Sequence, residues 1–256
     1  MKIRQRVAAL LAVCLGWAVG VGPAAAQGAP HAYAVVSEFG RDIVITVGQT
    51  QTGTRLEANA AERLPVSNGA YDKVALISAK QALEKADAGA KVWLVAPLDV
   101  DLFNARGAYA EGSTVNVPAD LAAALKERGS SHLLLFTRLR DEASLRAGNE
   151  HVGSGQIEGV GFYIDRWLKV KNLDTLTEST GFIAPYLYIR ATLIDARSAK
   201  VLATRRVTAG TMVPADRPDQ SGDPWALMSS QEKVGHLSAL IRTEVGAAVP
   251  ALLSAP

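Results

Sequence analysis

The chain opens on a segment that reads as an export leader, and its only cysteine, Cys14, lies inside that segment. Lys2, Arg4 and Arg6 make a basic start. An apolar run follows from Val7 to Val21, and Gly22-Pro23-Ala24-Ala25-Ala26 puts Ala24 and Ala26 at the −3 and −1 positions of a cut. This three-part layout is that of a secretory signal peptide, so residues 1–26 are expected to be removed. The apolar run is about 15 residues, short of the roughly 18–20 that span a bilayer, and later apolar runs are shorter still. Lipid attachment at Cys14 is the other reading, but Leu11-Ala12-Val13 puts Val where a small residue is wanted.

The constraint on folding follows directly. Residues 27–256 contain no cysteine, so disulfides, thiol nucleophiles and cysteine-ligated zinc are excluded. The fold must rest on a hydrophobic core, which a chain of this length can bury. The full chain has 27 Lys and Arg against 25 Asp and Glu; three of the basic residues and none of the acidic ones lie in the leader, leaving 24 against 25. That balance gives no electrostatic footprint for nucleic acid.

The expected fold class is α/β: one domain over 27–256, with a mixed central β-sheet flanked by helices and a C-terminal helix packed on the sheet. Ala32 to Phe39 and Ile43 to Val47 are rich in β-formers and flank Gly40-Arg41-Asp42, which predicts a hairpin. Tyr71 to Ala88 reads as a helix with Val74, Ile77, Ala79, Leu83 and Ala86 inward, stopped by Gly89. Lys91 to Ala96 is a short strand. Pro118 opens a second helix with Leu121 and Leu125 inward and Gly129 as its stop. Ser131 to Leu139, with Leu133-Leu134-Leu135-Phe136, reads as a central strand buried on both faces. Ala184–Asp195 and Val201–Thr208 predict a hairpin turning through 196–200. Ser229 and Glu232 form a capping box for a last helix, with Val234, Leu237, Ile241 and Val245 inward as far as Pro250. Residues 148–182 lose any clear period and are expected to form an irregular flap.

No catalytic or metal constellation stands out, and no cofactor is expected. Gly153, Gly155 and Gly159 miss the dinucleotide-loop spacing by one residue and precede a strand rather than a helix, which favours a bent strand. His31, His132, His151 and His236 show no metal-ligand spacing. Asp99, Asp101 and Asp165 are the carboxylates placed best for hydrolytic work; Ser154 and Ser179 lack a nucleophile elbow. The aromatics are more suggestive. Phe162, Tyr163, Trp167, Phe182, Tyr186 and Tyr188 crowd into 27 residues of a chain otherwise sparse in them. They are either a core or a partner-binding surface, for which Tyr and Trp suit by area and polar tip.

The order of elements, and the run Tyr188-Ile189-Arg190-Ala191-Thr192-Leu193-Ile194-Asp195-Ala196-Arg197-Ser198-Ala199-Lys200-Val201-Leu202-Ala203, carry a resemblance. The strand ending in apolar-Asp, the short turn and the Val-Leu return resemble the envelope-protein fold of the curli secretion subunit CsgG, the penicillin-binding-protein activator LpoB and the amino-terminal domain of TolB. This chain lacks a convincing lipidation box and a long membrane-spanning alternating stretch. The resemblance therefore implies a non-catalytic periplasmic accessory or interaction domain that binds an envelope protein, not a pore and not a specific activator; charge balance and apolar run lengths predict no nucleic acid partner and no transmembrane span after the leader. It leaves the oligomeric state open. The alternative is a periplasmic hydrolase using carboxylates near the sheet edge.

Overall fold

The computed structural model describes residues 31–48, 59–96, 102–104, 109–110, 113–171, 178–213 and 223–254. The leader, with Cys14 and the Ala26 site, and the carboxylates Asp99 and Asp101 lie outside the described residues. The strands are β1 (Ala32–Glu38), β2 (Asp42–Val47), β3 (Ala60–Pro65), β4 (Lys91–Leu94), β5 (Tyr109–Ala110), β6 (Thr114–Val115), β7 (His132–Arg138), β8 (Arg140–Glu142), β9 (Leu145–Ala147), β10 (Glu150–Val152), β11 (Gln156–Lys171), β12 (Glu178–Asp195) and β13 (Val201–Gly210). The helices are α1 (Ala70–Ala86), α2 (Ala119–Glu127) and α3 (Ser230–Leu253). Nine of the strands form one mixed sheet. The α/β class, the single domain and the C-terminal helix on the sheet are all as the sequence predicts.

The spine of the sheet is β12. Its first part, Glu178 to Tyr188, pairs antiparallel with β11, and its second part, Ile189 to Asp195, pairs antiparallel with β7. β13 takes the opposite edge from Tyr186 to Ile194. β11 and β7 therefore lie end to end along one edge, and the sheet forks there. One branch runs β7-β1-β4, the other β11-β2-β3.

This fork overturns the predicted first hairpin. β1 is parallel to both β7 and β4, while β2 is parallel to β11 and antiparallel to β3. The chain does not reverse at Gly40-Arg41. It steps from one branch to the other through Gly40, whose φ of 98° is open to glycine and strained for other residues.

Alternation along the central strands sorts the core into layers. Tyr33, Val35, Leu134 and Phe136 face one side, with α1 and α3; Ala34, Val36, Leu133 and Leu135 face the other, with Leu121 and Leu125 of α2. That is why the apolar run of β7 has no polar alternation: both of its faces are covered. α3 starts at the predicted capping box, with the Ser229 hydroxyl accepting from Glu232 N–H. Leu237, Ile241, Val245, Ala248, Val249 and Leu252 are buried.

Three predicted details are corrected. Val234 is 54% exposed, because the inward stripe runs by fours from Lys233 through Leu237. Lys233 is tolerated there since its ammonium donates to Met228 O at 2.6 Å and sits 4.0 Å over the Trp225 ring. The helix also continues through Pro250 to Leu253. On α1, Ile77 is 52% exposed and the buried side is built on Ala75, Ala79, Ala82 and Leu83. Small residues there let α1 lie close to its neighbours, and the larger Ile77 is left outside.

Candidate functional site

The described residues of 148–182 do not form an irregular flap. They contain β10, β11 and the start of β12. The glycines that suggested irregularity sit where the chain bends: Gly153, Gly155 and Gly159 have φ of 115°, 71° and 71°. This is the bent strand the glycine spacing favours. Before Gly159, β11 pairs with β8; from Gly159 on it pairs with β12 and soon with β2. The long strand alternates too weakly in sequence to be read, because its two halves serve different partners.

The aromatic candidates separate. Phe162, Tyr163, Phe182, Tyr186 and Tyr188 have no exposed surface. Phe162 packs edge-on against Trp225 on the helix side of the sheet. The other four, with Val44, Leu145 and Ile157, make the core beneath the β8–β10 segment. Their hydroxyls explain why tyrosine serves here. Tyr188 OH accepts from Ser144 N–H at 2.9 Å, and Tyr163 OH accepts from Ser154 N–H at 3.1 Å. Each hydroxyl fastens one backbone segment of the covering layer to the sheet, and burial pushes both phenols above their ordinary pKa. A partner surface built from these five is corrected to a core with polar clamps.

Trp167 is the exception. It is 65% exposed, and its neighbour Leu168 is 40% exposed. Beyond Ile164, β11 has left β2 and pairs only with β12, so 165–171 and 178–182 form a two-stranded ribbon that continues past the sheet. The ribbon base is braced by the turn at 223–227, where Arg166 pairs with Asp223. Asp165 Oδ1 accepts the N–H groups of both Trp167 and Leu168 at 2.7 Å. That carboxylate shapes the irregularity in the β11–β12 register, which is a turn-capping role rather than an acid–base one.

Two polar clusters went unread in the sequence. At the C-terminal end of β1, Glu38 and, on α1, Asp72 are both buried beside the Gly40 step, on opposite faces of the sheet. Glu38 accepts the N–H of Phe103 at 2.8 Å and that of Leu102 at 3.2 Å. Asp72 accepts from the Ser37 hydroxyl at 2.6 Å and from Phe39 N–H at 2.7 Å. Burial nevertheless wins over these bonds and the nearby Arg138 charge, and pushes the Asp72 carboxyl from 3.8 up to about 6. Between those values the folded state holds a proton that the unfolded chain has released, so this group's contribution to stability falls as pH rises from about 4 to 6. The full effect is about 3 kcal/mol. In paired urea denaturations, the stability difference between wild type and Asp72→Asn should fall by about that amount from pH 4 to pH 7. A difference that stays flat would mean the carboxyl is not desolvated.

At the opposite end of the same strands, the parallel register of β1 and β7 brings together histidines that are far apart in sequence. His31 and His132 meet edge to face at 4.9 Å, and Tyr33 stacks on His132. His31 Nδ1 and Tyr33 OH both bond Asp87 Oδ2. Ser131 Oγ lies 2.9 Å from His132 Nδ1, but this hydroxyl also accepts from Ala32 N–H and donates to Ala32 O. It ties β7 to β1 and is committed to that task. Among the described residues, no group of three or more His, Asp or Glu is arranged to hold a metal ion, and no helix is long and apolar enough to cross a membrane.

No protein-family model matches the chain, and no curated protein matches it either. Among solved structures, it is similar to a neuraminyllactose-binding hemagglutinin homolog from Helicobacter pylori: 10% identity, 88% of this chain and 86% of that one, TM-score 0.44. It is similar to protein XCC0632 from Xanthomonas campestris at 10% identity, over 91% and 89% of the two chains, with a TM-score of 0.37. The lipoprotein GNA1162 from Neisseria meningitidis is similar at 11% identity, over 84% and 97%, with a TM-score of 0.27. All three are bacterial proteins.

Proposed function

We propose that this chain is an exported, periplasmic accessory protein of the bacterial cell envelope. It binds another envelope protein through the exposed face of the ribbon around Trp167 and has no reaction of its own. The observation that carries this is Trp167: the most exposed large apolar side chain among the described residues, on a braced ribbon that leaves the sheet. Trp offers large contact area for little rotamer entropy and is enriched at binding hot spots. The leader-like 1–26 segment and the resemblance of the β12–β13 hairpin to the curli-subunit group support the address. The hydrolase alternative gains nothing from Asp165, whose carboxylate oxygen is occupied by two backbone donors.

Trp167→Ala tests this surface. Melting should be unchanged to within about 0.5 kcal/mol, as for an exposed residue without partners, while capture of the envelope partner is lost. Val234→Ala, at another exposed apolar site, should leave both unchanged. A large fall in stability with capture retained per folded molecule would contradict the proposal. The address is tested by intact mass: the mature protein should begin at Gln27, and a retained leader or an acylated Cys14 would contradict it.

A further inference from the structure

A groove of about 380 Å³ opens on the sheet face opposite α1 and α3, and none of the aromatic candidates lines it. Its origin is the bend at Gly159. There β11 leaves the β2 side of the sheet and its residues 156–158 pair with β8 instead, so a wedge opens between them and the β2–β3 face. Val44, Thr46 and Ile157 are buried at its floor; Arg63, Arg140 and Glu158 bring charge to its walls. Val44 pairs with Arg63 across β2–β3, and Glu158 with Arg140 across β8–β11, so Arg63 from one ladder and both Glu158 and Arg140 from the other line the wedge.

Arg63 and Glu158 are not spent on one another. Among the described residues neither Arg63 nor Glu158 is in an ion pair or a side-chain hydrogen bond. Both charges are felt at the buried Tyr186 hydroxyl below the floor, in opposite directions. Among the described residues, that hydroxyl is held by long contacts of 3.4–3.5 Å to Thr46 Oγ1, Val44 O and Glu158 O. Two guanidinium groups, one carboxylate and the Asn59 and Gln156 amides thus line a volume worth about a dozen waters.

We infer that this groove binds a small amino-acid-like zwitterion, such as the end of a short acidic peptide. Carboxylates meet the guanidinium of Arg63 and the Arg140 wall, which suit them geometrically. The ammonium meets Glu158. The two opposite charges exclude both simple polyanions and simple cations, since either would leave one wall charge facing a like charge.

The probe is the dipeptide alanylglutamate, titrated into the purified protein by calorimetry. It should bind saturably at millimolar concentration or below. Arg63→Ala should weaken it about tenfold or more, the worth of a charge-assisted hydrogen bond. Glu158→Gln should weaken alanylglutamate while leaving N-acetyl-alanylglutamate unaffected. Ala61→Trp, which fills the groove from exposed β3 without removing a charge, should abolish binding. Melting curves of the three variants should match wild type. No saturable response to millimolar alanylglutamate would overturn the inference. So would equal affinity in Arg63→Ala or Ala61→Trp, or tighter binding of the acetylated form, which would make the site one for simple anions.

Discussion

Leu237→Asp should leave the protein without a cooperative unfolding transition at ambient temperature. Leu237 has no exposed surface and sits in the inward stripe of α3, between Lys233 and Ile241. Truncating such a side chain costs about 2–5 kcal/mol on its own. A carboxyl at the same place adds the cost of burying a polar group, of the order of several kcal/mol, whether it ionises or takes up a proton. The sum reaches the low end of the roughly 5–15 kcal/mol that holds a domain together. Lys233, one turn away, offers no rescue, because its ammonium is drawn back to Met228 O. Circular dichroism melts check this, with Leu237→Ala as the intermediate case. A melt for Leu237→Asp like that of wild type would mean that α3 does not dock on the sheet.

Gly161→Ala should be the most damaging substitution by a single methyl group. A Cβ at Gly161 would lie 1.9 Å from Val44 O and 2.8 Å from Tyr186 OH. Real atoms cannot stand so close, so β11 and β2 must separate where their parallel ladder begins. Overpacking of this kind costs about 1–3 kcal/mol, and each ladder bond lost adds about 1 kcal/mol. Two comparisons separate backbone from side-chain causes. Tyr186→Phe removes the hydroxyl but not the Val44 carbonyl, so it should not rescue Gly161→Ala. Gly235→Ala, on α3 where nothing lies within 4 Å of the added methyl, should stabilise by up to about 1 kcal/mol. Urea denaturation gives all of these. Full stability in Gly161→Ala would place the two strands further apart than the structure has them.

The elements that could be read from sequence are those whose signals are local. The capping box at Ser229 and Glu232, the apolar run of β7 and the β12–β13 hairpin each declare themselves within a few residues. What escaped depends on pairings between distant segments. Gly40-Arg41-Asp42 has the composition of a hairpin turn, yet β1 and β2 each have better partners elsewhere, and nothing local reveals the fork. Tyr163, Tyr186 and Tyr188 look like a docking surface because their concentration is visible while their cover is not: Ser144 and Ser154, which they clamp, are ordinary loop residues in sequence. Asp72 and Ser37, 35 residues apart, become a buried hydrogen-bonded pair only through the packing of α1 on β1. Arg63 and Glu158 share a groove only because β11 bends at Gly159. Trp167 was in the predicted set, but its exposure follows from β2 ending opposite Ile164, a fact of the sheet rather than of the local sequence.

The central claim is that the exposed Trp167 face of the ribbon is where this protein meets its partner. Photo-crosslinking in intact cells tests it most directly, with a photoreactive side chain placed in turn at positions 167, 202 and 234, all of them exposed apolar sites. The account expects one discrete protein adduct from position 167, and none from 202 or 234. No adduct at 167, or the same adducts from all three positions, would contradict it.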